Sequence, residues 1–357
     1  MTSDGSDDER PASGRFPEDR NWIGSTGLQR RHVLTGGAFA AGFAAACRPV
    51  ASSAVQTSGE GLTEESVSIP TSDGFAMPAF VARPAGRKSA PVIVVVHEIF
   101  GVHEWIRDIC RRFARAGYYA IAPDLFARHG DATKVADFKQ LVGTIVSKAP
   151  DAQVLADIDT TYGWAGSHGG DAKRRGITGF CWGGRIVWLY AAHSGDLDAG
   201  VAYYGRLVTD KTALQTLSAI EEVAKLKAPV LGQYGELDKG IPQTDVEAMH
   251  AALARAGKSP PDAITVHKGA DHGFMADYRP SYNEAAAKAA WDATLGWFGK
   301  YVEGKGFAPV RSGRTARSER RSVITSPSSP RRRPACSSHG RHSSSRCGRR
   351  RCGPTAR

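Results

Sequence analysis

The stretch Gly179-Phe180-Cys181-Trp182-Gly183-Gly184 limits what this chain can fold into more than any other. Ahead of it, Arg175 to Thr178 is a short β-prone run. Behind it, Arg185 to His193 holds a continuous apolar stretch without Gly or Pro, as a buried helix would. A strand must therefore turn abruptly into a helix at Cys181. Such a turn strains the backbone of its central residue and presses positions 179 and 183 against the neighbouring strand and helix, which favours glycine there. The pattern is that of a nucleophile elbow with cysteine where serine is commoner. By itself a G-x-C-x-G stretch fits equally well a buried structural cysteine beside a glycine-rich turn. Its partners have to decide.

The surrounding pattern predicts an α/β protein with a mainly parallel central sheet and helices on both faces. Val67 to Ile69 and Phe75 to Val81 flank the turn signal Ser72-Asp73-Gly74, as a hairpin would, and Pro78 places that hairpin at an edge. Pro91 to Val96 is an uninterrupted β-branched run, typical of a strand buried on both faces. Further strands are expected at 118–122, 177–180, 200–204, 229–234 and 263–267. Helical stretches are expected around Trp105 to Phe113, over 133–166, after the elbow, at 211–226, 243–256 and 282–302. Strands alternating with helices give a parallel sheet whose active groups gather beyond the strands' carboxyl ends. The loops at 97–101, 123–130, 204–206, 235–241 and 269–275 are thus where partners for Cys181 belong.

Two of those loops supply them. Gly235-Glu236-Leu237-Asp238 follows one strand and Gly269-Ala270-Asp271-His272-Gly273-Phe274 the next. Nucleophile, acid and histidine in that order, each just past its own strand, is the chain order of α/β-hydrolases. In this arrangement His272 carries the proton between Cys181 and the leaving group, and Asp238 fixes the tautomer of His272.

With His97-Glu98-Ile99-Phe100-Gly101, Pro123-Asp124-Leu125-Phe126-Ala127-Arg128 and His272-Gly273-Phe274 added to the elbow and the acid loop, the chain resembles the dienelactone hydrolase (carboxymethylenebutenolidase) family over roughly residues 65 to 303. The resemblance implies the α/β-hydrolase fold and a Cys181, Asp238, His272 triad. It also implies Glu98 near the thiol, an oxyanion hole from the backbone N–H groups of Ile99 and Trp182, and Arg128 as a clamp for a substrate carboxylate. The chain departs from the family pattern after the histidine. A second arginine is usual there; here Met275 and Ala276 stand in that region and the nearest arginine is Arg279. The implied substrate is a small lactone or ester, anionic if Arg128 acts as a clamp. A general carboxylesterase or thioesterase on the same fold is the enzymatic alternative.

No cofactor is expected, and no metal. His97-Glu98 does not open a zinc protease motif, because position 101 is Gly. Cys347 and Cys352 near His339 and His342 lack a C-x-x-C pair and apolar residues to fold around an ion.

The chain divides by composition into a leader over residues 1–54, a hydrolase domain over 65–305 and an Arg- and Ser-rich tail over 306–357. Arg30-Arg31 ahead of the uncharged run Val33 to Cys47 resembles a twin-arginine export signal. That run is too short for a transmembrane span. The expected partner is the twin-arginine export machinery, and the expected location periplasmic or extracytoplasmic. From Val310 to Arg357 the chain has 14 Arg and one Glu, which accounts for the net charge of +11. The basic pI therefore says nothing about the domain. Such a tail could bind phosphates nonspecifically, the reading from another functional class. No specific nucleic-acid partner is expected of an exported enzyme, and an altered reading frame also accounts for the abrupt change after Pro309. The tail's composition reads as disordered.

Overall fold

A computed structural model describes residues 56–258, 260 and 263–304. The expected export signal and the Arg-rich tail lie outside the described residues, as do the metal and nucleic-acid considerations attached to the tail.

The described strands are β1 (Leu62–Pro70), β2 (Ala76–Pro84), β3 (Ala90–Val96), β4 (Tyr119–Pro123), β5 (Gly170–Phe180), β6 (Ala199–Tyr203), β7 (Val230–Gly235) and β8 (Ile264–His267). They form one sheet in the order β1-β2-β4-β3-β5-β6-β7-β8. The β1–β2 hairpin lies at one edge, with β2 antiparallel to both of its neighbours, β1 and β4; all pairings from β4 to β8 are parallel. The main helices are α1 (Glu104–Arg115), α2 (Phe138–Thr144), α3 (Asp151–Ser167), α4 (Trp182–His193), α5 (Gln243–Arg255) and α6 (Glu284–Tyr301).

The residues of β3 explain its central place. Val92 to Val96 are wholly buried, which suits β-branched side chains packed on both faces of a pleated strand. Gly176 of β5 shows how tightly the faces are filled: a Cβ there would lie 2.5 Å from Ile93 and 3.0 Å from Phe298 of α6. On that face Phe113 of α1 also meets Trp291 and Phe298 of α6. On the other, Tyr162 of α3 stacks on Tyr190 of α4.

The chain leaves β3 for β4 on one side and later returns to β5 on the other. The carboxyl ends of β3 and β5, paired as far as Val96 and Gly179, therefore flank a topological switch point. That is where an open parallel sheet leaves room for a ligand.

Two expectations about helices fail for identifiable reasons. The region 133–166 is not continuous, because Asp137 caps a new helix by accepting the Gln140 N–H, and Pro150 can only start one. The region 211–226 is helical only as a 3-10 segment at Ala219–Lys225. Upstream of it, the Leu217 N–H donates to the Asp151 carboxylate while the Leu217 carbonyl accepts from Arg185. Side chains from α3 and α4 have taken the groups that a helix would use. Strand β5 also starts at Gly170, earlier than expected.

Candidate active site

Cys181 sits at the junction of β5 and α4 with φ 56° and ψ −113°, in the left-handed half of backbone space that side chains avoid. The turn is held in place by contacts that leave no room for a Cβ. One at Gly179 would lie 2.3 Å from the Gly183 carbonyl oxygen, and one at Gly183 would lie 2.4 Å from the Val96 carbonyl oxygen. The Cys181 N–H donates to the Tyr203 carbonyl at 3.0 Å, which ties the elbow to β6. The strain at Cys181 is thus imposed from several sides, as at functional sites that store it.

The acid and histidine loops are bound to each other. The Leu237 N–H donates to the Ala270 carbonyl at 2.8 Å. His272 Nδ1 lies 2.7 Å from Asp238 Oδ2, with both side chains nearly shut off from solvent. The other Asp238 oxygen accepts the Gly240 N–H at 2.8 Å, so the carboxylate is held at both ends. A carboxylate can only accept here, so the His272 proton sits on Nδ1 and Nε2 is the ring's basic nitrogen.

Tyr204, the residue after β6, joins the two halves. Its ring lies 5.1 Å from that of His272 and it has φ 37°. Burial pushes its phenol well above the ordinary value, and Glu98, Arg279, Tyr278 and Cys181 all lie within electrostatic reach. Its hydroxyl is buried without a hydrogen-bond partner.

Glu98 follows β3 and is wholly buried. Its Oε1 accepts from Arg279 Nη2 at 2.9 Å; its Oε2 accepts from the Tyr278 hydroxyl at 2.8 Å and lies 3.1 Å from His103 Nε2. Burial alone would raise this carboxyl, but the Arg279 charge and the His103 and Tyr278 hydrogen bonds outweigh it and hold it at about 2. Glu98 is therefore a carboxylate at any working pH.

The chain matches known proteins over most of the domain that carries these groups. The profile of the dienelactone hydrolase family matches residues 77–302. The chain belongs to the dienelactone hydrolase family. Two relatives named "Putative carboxymethylenebutenolidase" bear on this. That of Methylorubrum extorquens is 47% identical over 284 residues, covering 79% of this chain and 96% of its own length. That of Escherichia coli strain K12 is 50% identical over 261 residues, covering 73% and 95%. A solved structure described as a "Putative Dienelactone Hydrolase" from Klebsiella pneumoniae superposes with a TM-score of 0.65 at 50% identity, covering 67% of this chain and 99% of its own. The chain is thus a dienelactone hydrolase-like hydrolase with the α/β-hydrolase fold.

Within this dienelactone hydrolase fold, Cys181, Asp238, His272, Glu98, Ile99 and Trp182 all fall at the carboxyl end of the sheet. The other described cysteine, Cys110, is buried in α1, where burial pushes its thiol up and leaves it inert. Arg128 has different surroundings from those of a substrate clamp. Its guanidinium contacts Asp157 through Nη1 and Nη2 at 2.5 and 3.1 Å, Asp73 through Nε and Nη2 at 3.1 and 3.0 Å, and Thr71 at 3.2 Å. It also lies over the Phe75 ring at 4.5 Å. These contacts join the β1–β2 turn to α3. Neither Asp124 nor Asp131, both nearby in sequence, is among them; Asp131 pairs with Lys134.

Sequence reasoning passed over Arg279 as too far beyond the histidine. The chain folds back through successive turns, with the Ala276 N–H on Gly273, the Arg279 N–H on Ala276 and the Asn283 N–H on Phe274. That brings Tyr278 and Arg279 under Glu98. Gly273, at φ 76°, was the available signal of such a reversal. Among the described residues no cluster of three or more metal-ligating side chains occurs, and no helix is long and apolar enough to cross a membrane.

Proposed function

We propose that this hydrolase cleaves a lactone or small carboxylic ester through a thiol-acyl intermediate on Cys181. His272 Nε2 takes the thiol proton, and the sulfur attacks the acyl carbon. Charge collects on the carbonyl oxygen, where the Ile99 and Trp182 N–H groups serve as the oxyanion hole. The C–O bond breaks, and His272 returns its proton to the departing alkoxide. Water then attacks the thioester with His272 as base, releasing the acid and restoring the thiol. The observation that carries this reading is the 2.7 Å contact of His272 Nδ1 with Asp238 Oδ2, made at the sheet end that holds the strained Cys181. It fixes the tautomer that the proton transfers require.

The Glu98–Arg279 pair favours a substrate that itself bears a carboxylate. An anion bound beside Cys181 competes for the guanidinium and loosens Glu98, so Arg279, rather than Arg128, is assigned to anion recognition. The leader assigns the enzyme to the far side of the cytoplasmic membrane by its Arg30-Arg31 signal, which signal-peptide mapping of the mature protein tests directly.

The mechanism is tested with Cys181→Ala. Hydrolysis of aryl esters and lactones should vanish while circular dichroism stays that of wild type, and mass spectrometry of wild type should find the acyl group on Cys181. An alanine variant that kept more than a few per cent of kcat would refute the assignment.

A further inference from the structure

We propose that His97 is the positioning residue of the oxyanion hole, holding the peptide between Glu98 and Ile99 so that the Ile99 N–H faces the acyl oxygen. The inference rests on the reading of Ile99 and Trp182 as the oxyanion donors.

His97 is wholly buried and both ring nitrogens are occupied. Nδ1 lies 2.6 Å from the Glu98 carbonyl oxygen, and Nε2 accepts the Leu125 N–H at 3.1 Å. A carbonyl can only accept and an amide N–H can only donate, so the ring must be neutral with its proton on Nδ1. Burial lowers its pKa and works in the same direction, against the pull of Asp124, whose Oδ1 lies 3.9 Å from Nε2. With Nε2 spent on Leu125, His97 is placed to hold backbone rather than to shuttle protons.

The Glu98 carbonyl and the Ile99 N–H belong to one peptide unit. A trans peptide is planar, and its C=O and N–H point in opposite directions. The carbonyl also accepts the Gly101 N–H at 3.3 Å, but the His97 contact is the shorter by far, and fixing the carbonyl there fixes the direction of the Ile99 N–H. Among the described residues no backbone acceptor takes that N–H, nor the Trp182 N–H. The same imidazole bears on the second donor. It stacks on the Trp182 ring at 5.6 Å with planes 15° apart, and Phe126 closes on its edge at 4.7 Å. The His97 carbonyl lies 2.7 Å from where a Cβ on Gly183 would be, so the start of α4 rests on the backbone at the end of β3. One side chain thereby relates both amides to the end of β3, and the hydrogen bond to Leu125 braces it against the loop after β4.

The test uses His97→Leu, which fills the space without a donor, and His97→Asn, whose amide can still donate to the Glu98 carbonyl but cannot reach Leu125. With an aryl ester, the leucine variant should lose about tenfold to a hundredfold in kcat with KM within about twofold, since a misaimed donor weakens only the transition state. Asparagine should recover most of that loss. Alkylation of Cys181 by iodoacetamide, which needs no oxyanion hole, should keep its wild-type rate in both. Equal kcat in the leucine variant and wild type, or an asparagine variant as slow as leucine, would overturn the proposal. So would alkylation that falls in step with kcat. Should the leucine variant not fold, nitrogen NMR of wild type decides: a proton on Nε2 of His97 at neutral pH contradicts the proposal. Failure of the Cys181 mechanism shows itself separately, as hydrolysis by Cys181→Ala.

Discussion

Arg279 Nη2 lies 2.9 Å from Glu98 Oε1, and the two side chains, 181 residues apart in sequence, are almost completely shut off from solvent. Each charge helps to make the other tolerable there, alongside the Tyr278 and His103 contacts to Glu98. Removing one leaves the partner charged and buried, which typically costs about 3–5 kcal/mol, whereas replacing both with neutral groups of similar shape costs far less. Arg279→Met should therefore destabilise the domain severely in urea, and Glu98→Gln combined with Arg279→Met should recover much of the loss. A single variant as stable as wild type would show that the pair is not coupled.

The same pair predicts acid sensitivity. Glu98 is held at about 2 in the folded chain against 4.5 for a free glutamate. A carboxyl depressed by folding stabilises fully above its unfolded value, and that contribution fades as pH falls from there towards its folded value. On the order of 3 kcal/mol should thus be lost between about pH 5 and pH 2. Urea unfolding across that range should show a steeper loss for wild type than for the Glu98→Gln, Arg279→Met double variant. Parallel curves would place the acid sensitivity elsewhere.

Arg128 should behave as a brace between the β1–β2 turn and α3. Arg128→Ala strips the nearly buried Asp157 of its cation and should lower stability by roughly 1–3 kcal/mol. Esters with and without a carboxylate should lose kcat/KM to the same extent. A loss confined to anionic substrates would restore Arg128 as the clamp.

What was legible in the sequence follows from how local each signal is. The elbow, the acid loop and the histidine loop each occupy a few consecutive residues after a strand, and the sheet brings their ends together without further information. The β-branched run of β3 likewise specifies its own burial. Arg279 was not legible as a neighbour of Glu98, because its approach depends on successive turns after Gly273. The surroundings of Arg128 were not legible for the converse reason. Its place beyond β4 is local, but Asp73 and Asp157, which occupy its guanidinium, come from 55 residues before and 29 after. The stretch 211–218 has helical composition, yet Asp151 and Arg185 claim its backbone from outside.

Tyr204 combines a strained backbone, complete burial and a hydroxyl with no partner, beside the ring of His272. A buried hydroxyl without a hydrogen bond costs about 1–3 kcal/mol, so removing it alone should be a gain. Tyr204→Phe leaves the ring contacts with His272 and Phe274 in place. It should raise stability by about 1 kcal/mol, read as a higher urea midpoint at unchanged slope. If the hydroxyl is kept unpaired for a substrate oxygen, the same variant should lose about tenfold in kcat/KM, the worth of one hydrogen bond. A variant that is both more stable and slower marks a group retained for the reaction at the expense of the fold. A lower midpoint would mean that the hydroxyl has a structural partner, and unchanged kinetics would limit Tyr204 to packing against His272.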